Sequence, residues 1–349
     1  MSTVLSVDLD AIASNLARVR EAVAPAEPML VVKNNAYGHG LVPVVRRAAS
    51  EGVRWFGAFD VRTGHVVRAE LGDDARIFVW MTASRAEADQ SVRDRLDIGV
   101  GDTAVLEDVA QAARALGSRA RIHLKIDTGL HRNGVRPEEW PEFVARAAQL
   151  ADEGVVEVVG VWSHIAEASD DEDDAARRVF DEAVSAAETA GLAPEYRHLA
   201  ASAASFARPE FRYDLVRVGA FAYGIRSAGG TTEDELGVRL AARLDTEVTG
   251  VDARGVTIGV GALDGLPSTL GGRVDVGTPS GPRTLESVGD ESRVSGWASA
   301  SVGDVVTLFG GAENEKSPTD LAEAIGSVGE EILVRLSPLI PRRYEGVER

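Results

Sequence analysis

The chain has 349 residues, 55 acidic against 37 basic, for a formal charge of −18; that balance excludes a surface built to hold nucleic-acid phosphates or an anionic membrane. Cysteine is absent, which excludes a disulfide framework and thiolate metal sites. No apolar run reaches the roughly 18 residues of a membrane span, and the start, MSTVLSVDLDAI, lacks a signal-peptide pattern, so a soluble cytoplasmic protein is expected.

Residues 4–9 alternate like a short strand, and Asp10 is placed to cap a helix with Ile12, Leu16, Val19 and Val23 at helical spacing. An apolar run over 29–32 follows and ends in Lys33, after which a polar, glycine-punctuated loop leads to a new helical pattern at Leu41. The basic residues are almost all arginines, and only Lys33, Lys125 and Lys316 are lysines. A lysine where an apolar strand meets a loop either snorkels to solvent or serves as a partly desolvated amine. Burial disfavours the ammonium form, and the free amine can then condense with a carbonyl.

From there strand and helix patterns alternate. Strands are expected over 29–33, 55–60, 76–80, 97–100, 121–127, 158–164, 196–202 and 213–219, with helices such as 103–116 and 174–190 between them. Eight strand–helix units in about 200 residues predict a (β/α)₈ barrel, the TIM-type α/β fold. Such barrels gather their chemistry at the carboxyl ends of the strands. Lys33, Lys125, Asp127, His164, Ser202 and Arg217 all fall there. After Arg226 the texture changes to glycine, threonine and valine, and strands are expected over 245–251, 255–260, 303–309 and 331–336. A loop over 310–318 and a short helix over 319–325, capped by Thr319, interrupt them. The expected division is a barrel over 10–226 and an all-β domain over 227–349 that also takes in the strand at 1–9.

Several stretches match one family. PMLVVKNNAYGHG, residues 28–40, closely resembles the cofactor-lysine signature VVKANAYGHG of the alanine racemases, fold-type III enzymes that use pyridoxal 5'-phosphate (PLP); Asn34 stands for an alanine. RIHLKIDTGLHRNG, residues 121–134, follows the family's HLKIDTGMHRLG pattern. VWSHIAEASD, HLAASAASF and YDLVRVGAFAYG resemble three further segments. The resemblance implies that Lys33 carries PLP as a Schiff base, and that Tyr37 and Ser202 touch the phosphate with the backbone of Gly219 and Ala220. It implies that His164 faces the cofactor, that Arg217 meets the pyridine nitrogen, and that Lys125 is a carbamylated lysine beside Arg132. It further implies an amino-acid substrate, a homodimer with shared active sites, and no metal. An arginine donates to a neutral ring nitrogen rather than protonating it. That makes the cofactor a weak electron sink, suited to racemisation through a short-lived carbanion.

The second half departs from the pattern. TIGVGALDG lines up with TIPIGYADG, so Ala262 replaces the tyrosine that is the family's second catalytic base. Gly296 and Trp297 replace a methionine and an aspartate, Ala201 an asparagine, and Glu330 a phosphate-binding tyrosine. Asp264 and Glu330 are candidate replacement bases. The expected activity is interconversion of L- and D-alanine or another small amino acid. A repurposed lyase, decarboxylase or one-face α-proton exchanger, and a PLP-binding protein without racemase activity, stay open because of Ala262.

Overall fold

The computed structural model describes residues 3–167, 169–312 and 315–346. They form two compact units, one made of Val19–Lys33 and Ala48–Gly219, the other of the described parts of Met1–Arg18, Asn34–Arg47 and Ala220–Arg349.

The chain opens with β1 (Thr3–Asp8) and α1 (Leu9–Val23). The cap of α1 is Asp8, whose Oδ1 accepts from Ala11 N at 2.9 Å, and not the expected Asp10. An aspartate at the strand end can bond the free N–H groups of the first turn, whereas Asp10 already lies inside it.

The first unit is the eight-stranded parallel barrel. Its strands are β2 (Glu27–Val31), β3 (Trp55–Asp60), β4 (Arg76–Met81), β5 (Asp97–Val100), β6 (Ala120–Lys125), β7 (Val156–Trp162), β8 (Tyr196–His198) and β9 (Leu215–Val218). They pair in the order β8-β7-β6-β5-β4-β3-β2-β9. The seam between the two end strands is bridged by backbone bonds from Asp214 N to Arg197 O and from Arg217 N to Ala200 O, each 3.2 Å. The helices are α2 (Leu41–Ser50), which begins in the other unit, α3 (Val61–Leu71), α4 (Arg85–Arg93), α5 (Thr103–Leu116), α6 (Trp140–Asp152), α7 (Asp170–Thr189) and α8 (Ser202–Ala207). Asp60, Ser84, Asp102 and Ser169 cap α3, α4, α5 and α7, so these four strand-to-helix turns carry their own stop and start signal.

The barrel interior is aromatic. Met29, Trp55, Phe78, Trp162 and Leu215 pack together, with Trp80 and Tyr196 against them. Large rings in neighbouring strands need a gap beside them, and Gly160 supplies one: a Cβ there would lie 2.3 Å from His123 Nδ1.

The second unit is a mostly antiparallel sheet. After α9 (Glu233–Leu236) come β10 (Ala242–Asp252), β11 (Gly255–Ile258), β12 (Asp275–Val276), β13 (Arg283–Val288), β14 (Ser292–Val294) and β15 (Val305–Phe309). The long β10 is the spine; it pairs with β1, β11 and β15, and β1 pairs in turn with β16 (Arg342–Glu345). The strand expected over 331–336 is instead α11 (Gly329–Val334). Ile332 and Leu336 are buried four residues apart and Glu331 pairs with Arg335, a helical spacing that the short apolar run concealed. Ahead of it, α10 (Pro318–Glu323) is capped by Ser317 and not by Thr319. Thr319 is buried, and its Oγ1 donates to Arg226 O at 3.1 Å. The expected loop over 310–318 includes Glu313 and Asn314, which lie outside the described residues. Among the described residues no helix is long and apolar enough to cross a membrane, and no cluster of metal-ligating side chains occurs.

Candidate active site

Within the barrel, the carboxyl ends of β2, β6, β7 and β9 bring together Lys33, Lys125, His164 and Arg217. Arg217 is the best-anchored of the four. Its Nη1 donates to His198 Nδ1 at 3.0 Å and to His198 O at 3.1 Å. Its Nη2 donates to Ser163 O at 2.7 Å, Leu199 O at 2.9 Å and His164 Nδ1 at 3.2 Å. Guanidinium nitrogens only donate, so both histidine Nδ1 atoms are acceptors and those rings are neutral. Burial draws Arg217 down to about 9; Glu167 opposes this and Arg132 adds to it.

Charge agrees with the tautomers. Burial, then Arg217, Arg132, Lys125 and Lys33 in turn, push His164 down to about 2. Burial, reinforced by Arg217 and Arg132 and opposed by Asp127, lowers Lys125 to about 7. Its Nζ sits 4.5 Å from the Trp162 ring centroid, and the Arg217 guanidinium carbon is 5.3 Å from that ring. A cluster this rich in cations is a ready receptor for an anionic group. Arg132 is exposed. Asp127, by contrast, closes its own loop, accepting from Gly129 N, His131 N and His131 Nδ1.

Ser202 opens α8, and its Oγ accepts from Gly219 N at 3.1 Å, leaving the hydroxyl hydrogen to donate elsewhere. The residues therefore fit PLP in two ways. A backbone N–H and a hydroxyl meet where a phosphate would be held. Arg217 Nε finds no acceptor among the described residues, so one donor of this fixed guanidinium is left for a ring nitrogen. Lys33 is partly buried.

The remaining expected residues belong to the other unit. After Lys33 the backbone turns left-handed through four side-chain-bearing residues, Asn34, Asn35, Ala36 and Tyr37, with φ of 53, 57, 54 and 52°. Each such residue costs roughly 1–2 kcal/mol. Gly38 N to Asn34 O and Gly40 N to Asn35 O, both 2.9 Å, and Leu41 N to Asn35 Oδ1, 2.8 Å, offset part of it. Gly38 continues at φ 83°, and a Cβ there would lie 2.8 Å from Leu333 O. The turn seats the Tyr37 ring 5.1 Å from Tyr223, with His39 stacked on the other ring at 4.7 Å. Burial, then the Glu330 charge, pushes the Tyr37 phenol above its usual range, so it stays a donor. Glu330 is partly buried on α11, and Ala220 is buried. Ala262 is exposed at the head of a short turn, where Asp264 Oδ2 accepts from Gly261 N at 2.9 Å. Asp264 thus holds its own loop. Trp297 is buried, and among the described residues its Nε1 has no partner.

Sequence reasoning gave no role to Asp97 or His123 and treated His198 only as part of a segment. The signal was available: Asp97 is a charged residue opening the wholly buried strand DIGV.

The family profile described as alanine racemase, N-terminal domain, matches residues 7–227. The chain is similar to the alanine racemase of Beutenbergia cavernae, 40% identical with 97% of each chain covered. It is also similar to two solved structures. One is the alanine racemase of D-cycloserine-producing Streptomyces lavendulae, with a TM-score of 0.94, 33% identity, and 100% and 98% of the chains covered. The other is the alanine racemase of Streptomyces coelicolor A3(2), with a TM-score of 0.95, 31% identity, and 99% and 98% covered. A profile over most of the chain, and relatives over nearly all of it, agree with the barrel geometry: the chain belongs to the alanine racemase family of PLP-dependent isomerases.

Proposed function

We propose that the chain exchanges the α-proton of a small amino acid, alanine first, with Lys33 as the cofactor amine and the proton-transfer base. The supporting observation is Arg217, fixed by five hydrogen bonds and flanked by neutral histidines. Bound PLP supplies the electron sink that acidifies the substrate Cα–H. Arg217 would donate to its ring nitrogen without protonating it, keeping that sink weak and favouring proton return over bond cleavage. His164 stays neutral and accepts from Arg217, holding its fork in place. Ser202, the backbone of Gly219 and Ala220, and the Tyr37 hydroxyl would hold the phosphate. Lys33 Nζ takes the proton from Cα and returns it.

Lys125 gains a purpose from its lowered basicity. A free amine plus CO₂ gives a carbamate and one proton, turning a cation that Arg132 and Arg217 repel into an anion they attract. Native mass spectrometry in bicarbonate should show one CO₂ added to the wild type and none to Lys125→Ala; equal masses would remove this assignment.

Ala262 favours a second reading. Without a phenol at that position, Asp264 or Glu330 must serve as the opposite-face base, or exchange proceeds on one face only. A positioned base contributes roughly 10²–10⁴-fold. Incubation with L-alanine in D₂O, followed by chiral analysis, separates the cases. Deuterated D-alanine supports racemisation, and deuterated L-alanine alone supports one-face exchange. No exchange with any common L-amino acid would leave a PLP-binding protein. We further propose a cytoplasmic homodimer; light scattering at the monomer mass would refute the dimer.

A further inference from the structure

We propose that Asp97, at the amino-terminal mouth of the barrel, is a positioning residue for Arg217, acting through His123 and His198 along the barrel axis. The proposal rests on the reading that Arg217 faces the cofactor ring.

The chain of contacts has one direction. Arg217 Nη1 must donate to His198 Nδ1, 3.0 Å away, so the proton of His198 is on Nε2. His198 Nε2 lies 3.0 Å from His123 Nδ1, which therefore accepts and leaves its own proton on Nε2. His123 Nε2 lies 3.6 Å from Asp97 Oδ1, and it has no nearer partner among the described residues. The two bonded links thus donate toward Asp97, and the free proton of His123 faces its carboxylate. The three side chains Asp97, His123 and His198 are wholly buried.

The carboxylate end is held by charge. Arg76 donates to both Asp97 oxygens, with Nε to Oδ2 at 3.0 Å, and Arg121 reaches them at 3.2 and 3.3 Å. Burial would raise the Asp97 carboxyl, but the nearby His123 ring and the hydrogen-bonded Arg76 hold it well below the usual carboxylate range. The groups facing His123 are Asp97, Arg76, Arg121 and His198; those facing His198 are Arg217 and His123. Burial lowers both rings, so neither competes for a second proton. Packing fixes the rings in plane. His198 stacks on Trp162 with an interplanar angle of 6°, and His123 meets Trp55 edge-on at 88°. Gly160 makes the room for His123. A barrel core is ordinarily filled by branched apolar side chains. A buried polar line through it, bonded from Arg217 to His123 and ending in a donor that faces a held carboxylate, favours one orientation of the group at its far end.

The test uses the holoenzyme with ¹⁵N-labelled histidine. Wild-type His123 and His198 should both be neutral with the proton on Nε2. A proton on Nδ1 of either ring overturns the proposal without any variant. In Asp97→Asn the His123 and His198 resonances should move, the pH midpoint of the bound cofactor's visible absorbance should shift by about one unit, and kcat should fall about tenfold with KM within twofold. Asp97→Glu should recover most of the loss. If the resonances stay fixed in Asp97→Asn, the relay fails. If they move while absorbance and kcat do not, the reading of Arg217 as the ring's partner fails, and the proposal with it.

Discussion

Acid should unfold this protein through its buried histidines before its carboxylates take part. His39, His123 and His198 are fully buried. Burial, against backbone bonds to Ala36 and Tyr37 that favour its charged form, lowers His39 to about 4, and burial lowers the other two as well. Each is neutral in the fold and titrates near 6.5 once unfolded. The unfolded state therefore binds more protons below that pH, and stability must fall as pH falls. Each histidine that charges only on unfolding costs about 1.4 kcal/mol at pH 5.5, so three cost up to about 4 kcal/mol. Total stabilities are about 5–15 kcal/mol, so a large share of the margin is gone by pH 5.5. Asp97 acts in the same direction but only below its unfolded value near 3.8, which separates the two windows. Urea unfolding followed by tryptophan fluorescence at pH 7.5, 6.5 and 5.5 should show the midpoint falling by roughly 1 M at constant slope. A midpoint unchanged from pH 7.5 to 5.5 would show that these rings already carry protons in the fold, and the tautomers assigned above would be wrong.

Lys33→Ala should lose the absorbance of lysine-linked PLP and show no cofactor mass after borohydride; a variant that keeps both refutes the lysine assignment. Ala262→Tyr places a phenol at this turn and should raise D-alanine formation about 10²-fold, with little change in stability. No gain in chiral turnover would mean that another group already does this work. Gly224 has φ 70°, and a Cβ there would lie 1.9 Å from Arg239 O. Gly224→Ala should cost about 3 kcal/mol or more in thermal or urea unfolding, and a cost under about 1 kcal/mol would contradict the backbone placement.

The barrel was legible because its code is local. Apolar runs such as IFVW alternate with capped amphipathic helices, and helix 103–116 appears at its expected bounds. The middle of the β unit was less so. Strands β12 and β14 are two and three residues long and β13 is buried at one residue only, so neither alternation nor continuous apolarity marks them. The run ILV misled because three apolar residues fit a strand and a helix equally well, and only the buried pair Ile332 and Leu336 decides for the helix. The candidate site was readable where a residue type is rare, as with the lysines. It was hidden where the evidence is a contact between distant positions. Nothing in the spacing of Asp97, His123 and His198 says that they align end to end inside one barrel.

The seam of the barrel has a consequence for how such a protein can drift. Arg217 supplies the N–H that stitches the last strand to Ala200 O, while its side chain ties together the segments after β7 and β8. Loss of its side chain would loosen the cylinder as well as silence it, so selection for a stable barrel alone would preserve this position. Ala262 sits exposed on a turn and bears no such duty. Divergence is free to collect there, and a lineage could change what it makes while keeping the vitamin it holds.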